Sequence, residues 1–331
     1  MSMINAAITG VGAWLPPTIL DNKELEKRMD VTDEWIVSRM GIRQRRVLED
    51  GKGSAYMATM AVKDLMAKTS LRSEEVDLLI CATITPSYGF PCNAVVVCDN
   101  LGFQNAFAYD LSASCSGFLF GLETCAGMIA TGKYKKVVFV CAEKMSAVID
   151  YTDPLTSPLF GDGAAAVLVE PTEEPYGVMD SILHVDGGGR KFLYRMLGGS
   201  LQPADPELLN RNDCFLHQDG RMVFKRAVAE MSAVTRKMME RHGLTVDNVD
   251  WFVPHQANAR IIKAIGENLN IPSKKLLSNI ERLGNTSSAT IPLCLWEFEK
   301  QLHKGDVILL SSFGAGFTWG CVCLKWAYDP V

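Results

Sequence analysis

A cysteine, a histidine and an asparagine, far apart in a 331-residue chain, each sit where an apolar run breaks into small or polar residues. Cys115 follows the run Phe107 to Leu111, inside Ser112-Ala113-Ser114-Cys115-Ser116-Gly117. Beyond it, Phe118, Leu119, Leu122, Met128 and Ile129 recur at helical spacing. The pattern predicts a strand, a tight turn and a helix opening at or just after Cys115. A thiol there faces the unpaired N–H groups and positive end of the helix, which favour thiolate over thiol. The small neighbours leave room for an acyl group, so Cys115 reads as a nucleophile. The plainer reading stands beside it: the chain has ten cysteines, and a buried cysteine is usually only a small hydrophobe.

His255 directly follows Trp251-Phe252-Val253-Pro254, at the strand end where open α/β sheets bind ligands. Asn285 lies in Leu283-Gly284-Asn285-Thr286-Ser287-Ser288-Ala289, a second small-residue turn before a helical pattern. Alone, such a His is more often structural, and an Asn in a turn is usually just a turn residue. An internal repeat changes that balance. Leu71 to Ile80 is matched by Leu244 to Val253 at an offset of 173, each after a long amphipathic helix (54–68 and 223–241). Val137 to Val140 is matched by Val307 to Leu310 at an offset of 170, which carries Cys115 onto Asn285. Two matches at nearly one offset predict a duplicated α/β unit, with parallel strands alternating with helices. The boundary falls near 171–176, where Pro171 and Pro175 lie, giving halves 1–172 and 173–331. All three residues then occupy the strand-end rim of a repeated fold.

The remaining elements must position that rim. Residues 3–13 read as a strand ending in Thr9-Gly10-Val11-Gly12, half a dinucleotide fingerprint. Trp14-Leu15-Pro16-Pro17 follows where a helix should open, which discounts a nucleotide fold. Short helices are expected over 21–29 and 32–39, the second capped by Thr32 or Asp33. Trp35 and Arg39 share a face of it, beside a basic cluster of Arg39, Arg43, Arg45 and Arg46. The pair could stack an adenine and hold phosphate, or be a surface cation–π contact. A strand over 76–83, a helix over 92–101 and strands over 137–141 and 164–169 complete the first half. The segment 187–220, rich in Gly and Pro, reads as a substrate-covering loop.

Composition bounds the reading. With 48% hydrophobic and 21% charged residues the chain is an ordinary globular protein, and a net charge of −5 argues against a general nucleic-acid binder. No stretch approaches the ~18 apolar residues of a membrane span, and the N-terminus lacks the pattern of a secretory signal. Scattered cysteines without a paired zinc motif fit reduced thiols in a cytoplasm.

Six stretches together resemble one family. They are Asp33 to Arg43 (DEWIVSRMGIR), Ser114-Cys115-Ser116-Gly117-Phe118, Phe160-Gly161-Asp162-Gly163-Ala164, Val253-Pro254-His255-Gln256-Ala257-Asn258, Gly284-Asn285-Thr286-Ser287 and Phe313 to Gly320 (FGAGFTWG). In this order and over nearly the whole chain they resemble the β-ketoacyl-acyl-carrier-protein synthase III (FabH-like) family of the thiolase superfamily. The resemblance implies a thiolase-like fold, two similar halves packed as five layers αβαβα, in a homodimer. It implies an acyltransferase running a ping-pong decarboxylative Claisen condensation of acyl-CoA with malonyl-acyl-carrier protein, starting fatty acid biosynthesis. Cys115, His255 and Asn285 would be catalytic, with Cys115 and Ala315 giving the backbone oxyanion donors. Trp35, Arg39, Gly220 and Asn258 would bind CoA, Lys225 and Arg260 would dock the carrier protein, and Phe90 would limit acyl length, often across the dimer. No metal or cofactor is implied, acyl-CoA being a substrate, and neither a membrane nor a nucleic acid is a partner.

Several positions depart from the family's pattern. Ala315 stands where Gly is more common, Val31 where a Thr often precedes the Trp motif, and the loop 151–158 lacks the Arg that stacks adenine in some members. A priming-type synthase of secondary metabolism (polyketide starter, alkylquinolone or long-chain ketone) would carry the same three residues. Thiolases need a second Cys in a late CxG motif, whereas Cys321-Val322-Cys323 reads as strand; elongating synthases use two His. Papain-like hydrolases share the order Cys, His, Asn but lack a duplicated α/β unit.

Overall fold

The computed structural model describes residues 5–205, 207 and 214–329. The expected strand over 3–13 and loop over 187–220 lie partly outside these residues, at 3–4 and at 206 and 208–213, as do the outer ends of the two expected halves.

In chain order the first half contains β1 (Asn5–Trp14), β2 (Ile19–Asp21), α1 (Asn22–Glu26), α2 (Asp33–Met40) and β3 (Gln44–Arg46). It continues with α3 (Ser54–Thr69), β4 (Leu78–Ala82), α4 (Asn93–Leu101), β5 (Phe107–Leu111), α5 (Gly117–Ala130), β6 (Val137–Lys144) and β7 (Asp162–Thr172). The rest comprises β8 (Gly177–Val185), β9 (Leu193–Tyr194), β10 (His217–Gln218), α6 (Gly220–Arg241), β11 (Trp251–Pro254) and α7 (Ala259–Leu269). Last come α8 (Ile280–Leu283), α9 (Thr290–Glu297), β12 (Val307–Gly314) and β13 (Thr318–Lys325).

The two large sheets share one strand order. The first runs β1-β7-β6-β4-β5 and the second β8-β13-β12-β11. In both, the first two pairings are antiparallel and the next is parallel; Phe252 then bridges in parallel to Leu276, the place β5 takes beside β4. The all-parallel expectation is therefore corrected: each sheet is mixed. The apolar runs suggested parallel strands because they are buried on both faces, and that burial is equally available to antiparallel strands in a layered fold.

Side-chain alternation builds the layers. On β6, Val137, Phe139 and Cys141 face one core, while Val138, Val140 and Ala142 face another; on β4, Leu78 and Ile80 part from Leu79 and Cys81 in the same way. The first set joins α5, α9 and the inner faces of β11, β12 and β13 in a central core. The second set packs under α3 and neighbours of α4. Phe252, Leu309, Cys321 and Cys323 face outward under α6 and α7. The order helix, sheet, helix, sheet, helix is the five-layer αβαβα arrangement of the thiolase-like fold. A smaller cluster ties α1, α2 and their flanking strands (Leu20, Leu25, Ile36, Met40) to Leu159, Phe160 and Ile262. Thr32 caps α2 by accepting the Trp35 N–H at 3.1 Å, and the left-handed Gly41 ends it. Among the described residues, no helix is long and apolar enough to cross a membrane.

Candidate active site

Cys115 sits in a 3₁₀ turn, Ser114–Ser116, between β5 and α5, as the small-residue run requires. Ser114 takes φ +51°, and the turn is tied to the end of β12 and start of β13: Ser312 Oγ donates to Cys115 O at 2.8 Å and Ser116 Oγ to Thr318 O at 3.1 Å. Thr318 Oγ1 lies 3.2 Å from both Ala113 O and Ala315 O, which holds Ala315 beside the cysteine. Only glycine fits at 314: a Cβ there would lie 2.8 Å from Cys115 N. The thiol itself is nearly buried and pairs with Ser287 Oγ at 3.7 Å. The thiolate expectation is corrected here. Burial pushes the Cys115 thiol up to about 12, outweighing the Ser287 hydroxyl, which favours thiolate, and the nearby Glu143 charge opposes it further. The resting sulfur carries its proton.

His255 continues β11, its N–H donating to Ser311 O at 2.8 Å. Burial alone lowers its imidazole to about 3, so the ring is neutral at ordinary pH. Nδ1 lies 2.7 Å from Thr290 Oγ1. The Thr290 hydroxyl has one proton and a second acceptor, Ser287 O, at 3.1 Å. Assigning the proton to the shorter contact makes Nδ1 the acceptor and Nε2–H the donor.

Asn285 is held by loops rather than by a regular element. Its N–H donates to Leu159 O at 2.8 Å, and its carbonyl accepts from Gly161 N at 3.0 Å. Gly161 permits that approach, since a Cβ would meet Leu283 O at 2.5 Å. Asp162 anchors the same segment by accepting from the N–H groups of Leu48 and Ser146, both at 2.8 Å. This is the structural content of Phe160-Gly161-Asp162-Gly163. Ser287 N donates to Asn285 Oδ1 at 2.8 Å, which fixes the carboxamide and leaves Nδ2 as its donor end. The repeat register differs from the expected one. Ser287, with φ +52°, opens a 3₁₀ turn, Ser287–Ala289, that leads into α9 just as Ser114 leads into α5. The positional counterpart of Cys115 is therefore Ser288, at the offset of 173 that also relates β4 to β11. The offset of 170 holds for β6 and β12 only, because loop lengths differ between the halves.

One cavity of about 560 Å³ gathers these residues. Cys115, His255, Asn285 and Ala315 line it together with Trp35, Arg39, Gly220, Asn258 and Arg260. The Arg39 guanidinium lies 4.8 Å from the Trp35 ring centroid, and Asn258 Nδ2 donates to Arg39 O at 3.2 Å. Gly220 opens α6 behind the Asp219 cap, three residues earlier than periodicity placed the helix. The expected covering segment contributes Leu193, Leu216 and Gln218 to the wall. Two expected residues lie elsewhere. Lys225 is exposed on α6 and outside the lining, and Phe90 is 91% exposed. Sequence reasoning missed Glu143, Ser287 and Thr290. For Glu143 a signal existed, a lone carboxylate closing an apolar strand, but the strand was expected to end at Cys141. Among the described residues no group of three or more His, Cys, Asp or Glu is placed to hold a metal ion.

Residues 109–187 match the profile of 3-oxoacyl-[acyl-carrier-protein] synthase III, and residues 239–326 match that of its C-terminal part. A β-ketoacyl-[acyl-carrier-protein] synthase III of Bacteroides thetaiotaomicron is 52% identical over 99% of this chain and 98% of its own. The chain belongs to the β-ketoacyl-acyl-carrier-protein synthase III family. A family member from Porphyromonas gingivalis is 48% identical over 99% of this chain and 98% of its own. The synthase III crystal structure from Aquifex aeolicus superposes with a TM-score of 0.90 at 39% identity, covering 97% of this chain and all of that one. The priming β-ketosynthase of the R1128 polyketide pathway also reaches 0.90, at 33% identity over 98% and 97% of the two chains.

Proposed function

We propose that Cys115, His255 and Asn285 carry the decarboxylative condensation of this synthase III, an acyltransferase of fatty acid biosynthesis. The observation that supports this reading is their convergence on one cavity from three separate elements. The Cys115 sulfur attacks the acyl-CoA carbonyl, the N–H groups of Cys115 and Ala315 hold the tetrahedral oxyanion, and CoA leaves. Malonyl-acyl-carrier protein then enters and loses CO₂. Charge builds on its thioester oxygen, where His255 Nε2–H and Asn285 Nδ2–H donate in a largely dry site. The carbanion attacks the Cys115 thioester and frees β-ketoacyl-carrier protein.

Trp35 and Arg39 hold the adenine and phosphates of CoA, and Gly220 and Asn258 line the pantetheine path. Arg260 and Lys225 receive the acidic carrier protein. The priming polyketide reading shares the fold, but full-length identity near 50% to synthase III relatives supports the fatty acid role. The homodimer is supported by the open edge of β5, where Phe107 is exposed, and by the exposed Tyr88 and Phe90 in the loop after β4. Such a dimer would bring Phe90 to the partner's acyl pocket. The halves 1–172 and 173–331 follow the two sheets, and free thiols such as those of Cys81, Cys125 and Cys141 support a cytoplasmic setting.

Incubation with acyl-CoA followed by intact mass measurement tests the assignment. An acyl adduct on Cys115 with one equivalent of free CoA is expected, and none in Cys115→Ala. Continuous release of free acid without an adduct would make the site a hydrolase instead.

A further inference from the structure

Thr290 opens α9 with its side chain fully buried, and it does not line the cavity. Its hydroxyl nevertheless reaches the site from behind, 2.7 Å from His255 Nδ1. Among the described residues it is the one hydrogen-bond partner of that ring. The same short stretch fastens the other two functional side chains. Ser287 N donates to Asn285 Oδ1 at 2.8 Å, and Ser287 Oγ lies 3.7 Å from Cys115 Sγ. Residues 287–290 therefore touch all three side chains that converge on the cavity, each through a different polar atom.

The neutral His255 ring holds one proton, and its place decides what the ring can do. A proton on Nδ1 would leave Nε2 a lone pair, the form of a base. A proton on Nε2 makes that atom a donor. The Thr290 hydroxyl has two acceptors within reach, Nδ1 and, at 3.1 Å, Ser287 O. Two observations send its proton to Nδ1. Ser287 O already accepts the backbone N–H of Thr290, so it has no unmet need for a donor. The contact to Nδ1 also has the length of a hydroxyl donor, whose bonds centre near about 2.7–2.8 Å, whereas those of N–H donors centre near about 2.9–3.0 Å.

We propose that Thr290 is a positioning residue of the condensation half-reaction, its hydroxyl fixing both the orientation of the His255 ring and the tautomer that donates through Nε2. Thr290 touches no substrate and acts through His255. The consequence is geometric. His255 is indexed to the turn by Thr290 and Asn285 is indexed to it by Ser287 N, so Nε2–H and Nδ2–H are held at one spacing for one thioester oxygen. Loading of Cys115 calls on neither donor and is left untouched by this device.

This role presupposes that His255 serves condensation, and the experiment separates the two. Thr290→Val deletes the hydroxyl but keeps the branched side chain and the backbone bond to Ser287 O, while Thr290→Ser restores the donor. Loading by acetyl-CoA is read by rapid quench and intact mass, and condensation by consumption of malonyl-carrier protein by the preloaded enzyme. Thr290→Val should condense more slowly by on the order of 10–10²-fold. The loss should fall on kcat, with KM for malonyl-carrier protein and the loading rate within about twofold of wild type. Thr290→Ser should recover most of the rate. Added to His255→Ala, Thr290→Val should cost nothing further, because the ring it serves is gone. Nitrogen NMR of histidine-labelled wild type, with His255 assigned by its absence from His255→Ala, should show a protonated Nε2 and an unprotonated Nδ1. A protonated Nδ1 in the wild type overturns the role of Thr290 whether or not any variant folds. So does a Thr290→Val enzyme that condenses at the wild-type rate, loses both half-reactions equally, or adds its loss to that of His255→Ala. A His255→Ala enzyme that condenses like the wild type would instead overturn the assignment of His255 itself.

Discussion

Asn285→Asp should split the two half-reactions. The Asn285 carboxamide presents its Oδ1 to Ser287 N at 2.8 Å, leaving Nδ2 for the thioester oxygen of the malonyl group. An Asp retains the acceptor, so the turn that carries Ser287 against Cys115 stays in place. Only the donating end changes. Loss of one such donor costs roughly 10²–10³ in rate, or about 2.7–4 kcal/mol. An ionised carboxylate facing a developing enolate adds repulsion of similar size, about 4 kcal/mol at 4 Å and an effective dielectric near 20. CO₂ release from malonyl-carrier protein by the preloaded enzyme should therefore fall by at least about 10³-fold. Loading of Cys115, read by rapid quench and mass, should change less than about tenfold, because no loading step uses Nδ2. As pH falls and the new carboxyl gains a proton, an O–H donor returns and the condensation defect narrows. Asn285→Ala is the poorer probe, since it strands the buried Ser287 N–H at a cost of about 1–3 kcal/mol and loosens the turn. Equal loss of both half-reactions in a thermally stable Asn285→Asp, at every pH, would refute the division of labour.

Two further outcomes follow. His255 has a folded-state pKa of about 3 against an ordinary value near 6.5, so below pH 6.5 the unfolded chain binds a proton that the folded one does not. Its contribution to stability is complete above that pH and is lost on acidification, by about 1.4 kcal/mol per unit. Urea unfolding at pH 6.5 and 5 should move the stability gap by about 2 kcal/mol in favour of His255→Asn; an unchanged gap contradicts the buried neutral ring. At the open edge of β5, Phe107→Lys should halve the molar mass seen by light scattering, and a monomeric wild type would remove the basis for a shared acyl pocket.

The strand–turn–helix around Cys115 was legible because its signals are local: an apolar run, small residues, then a helical period. The capping of α2 by Thr32 was legible for the same reason, as the N-cap chemistry lies within four residues. Mixed strand direction was not, since period-two burial on both faces looks alike in parallel and antiparallel strands. The thiol's protonation was misjudged because desolvation depends on what covers Cys115, and that cover comes from β12 and the Ser287 turn, far along the chain. Thr290 gave no local sign of its role; only the folded distance to His255 Nδ1 assigns it. The repeat offset was read from strands alone, whereas the two left-handed serines, Ser114 and Ser287, fix the register at the site.

That register explains why a duplicated fold yields an asymmetric centre. Both halves enter a central helix, α5 or α9, through a left-handed serine and a 3₁₀ turn. Packing α5 and α9 in the same layer brings the two turns face to face, so each half supplies what the other needs. The first presents a sulfur at its second turn residue. The second places Ser288 at the same point, and its hydroxyl binds Glu143 of the first half at 2.8 Å instead of a substrate. The neighbouring Ser287 faces the sulfur, and Asn285 extends past it to the cavity. Swapping Cys115 onto position 288 would therefore place a thiol against a buried carboxyl with no cavity wall of its own, where neither an acyl group nor CoA has access.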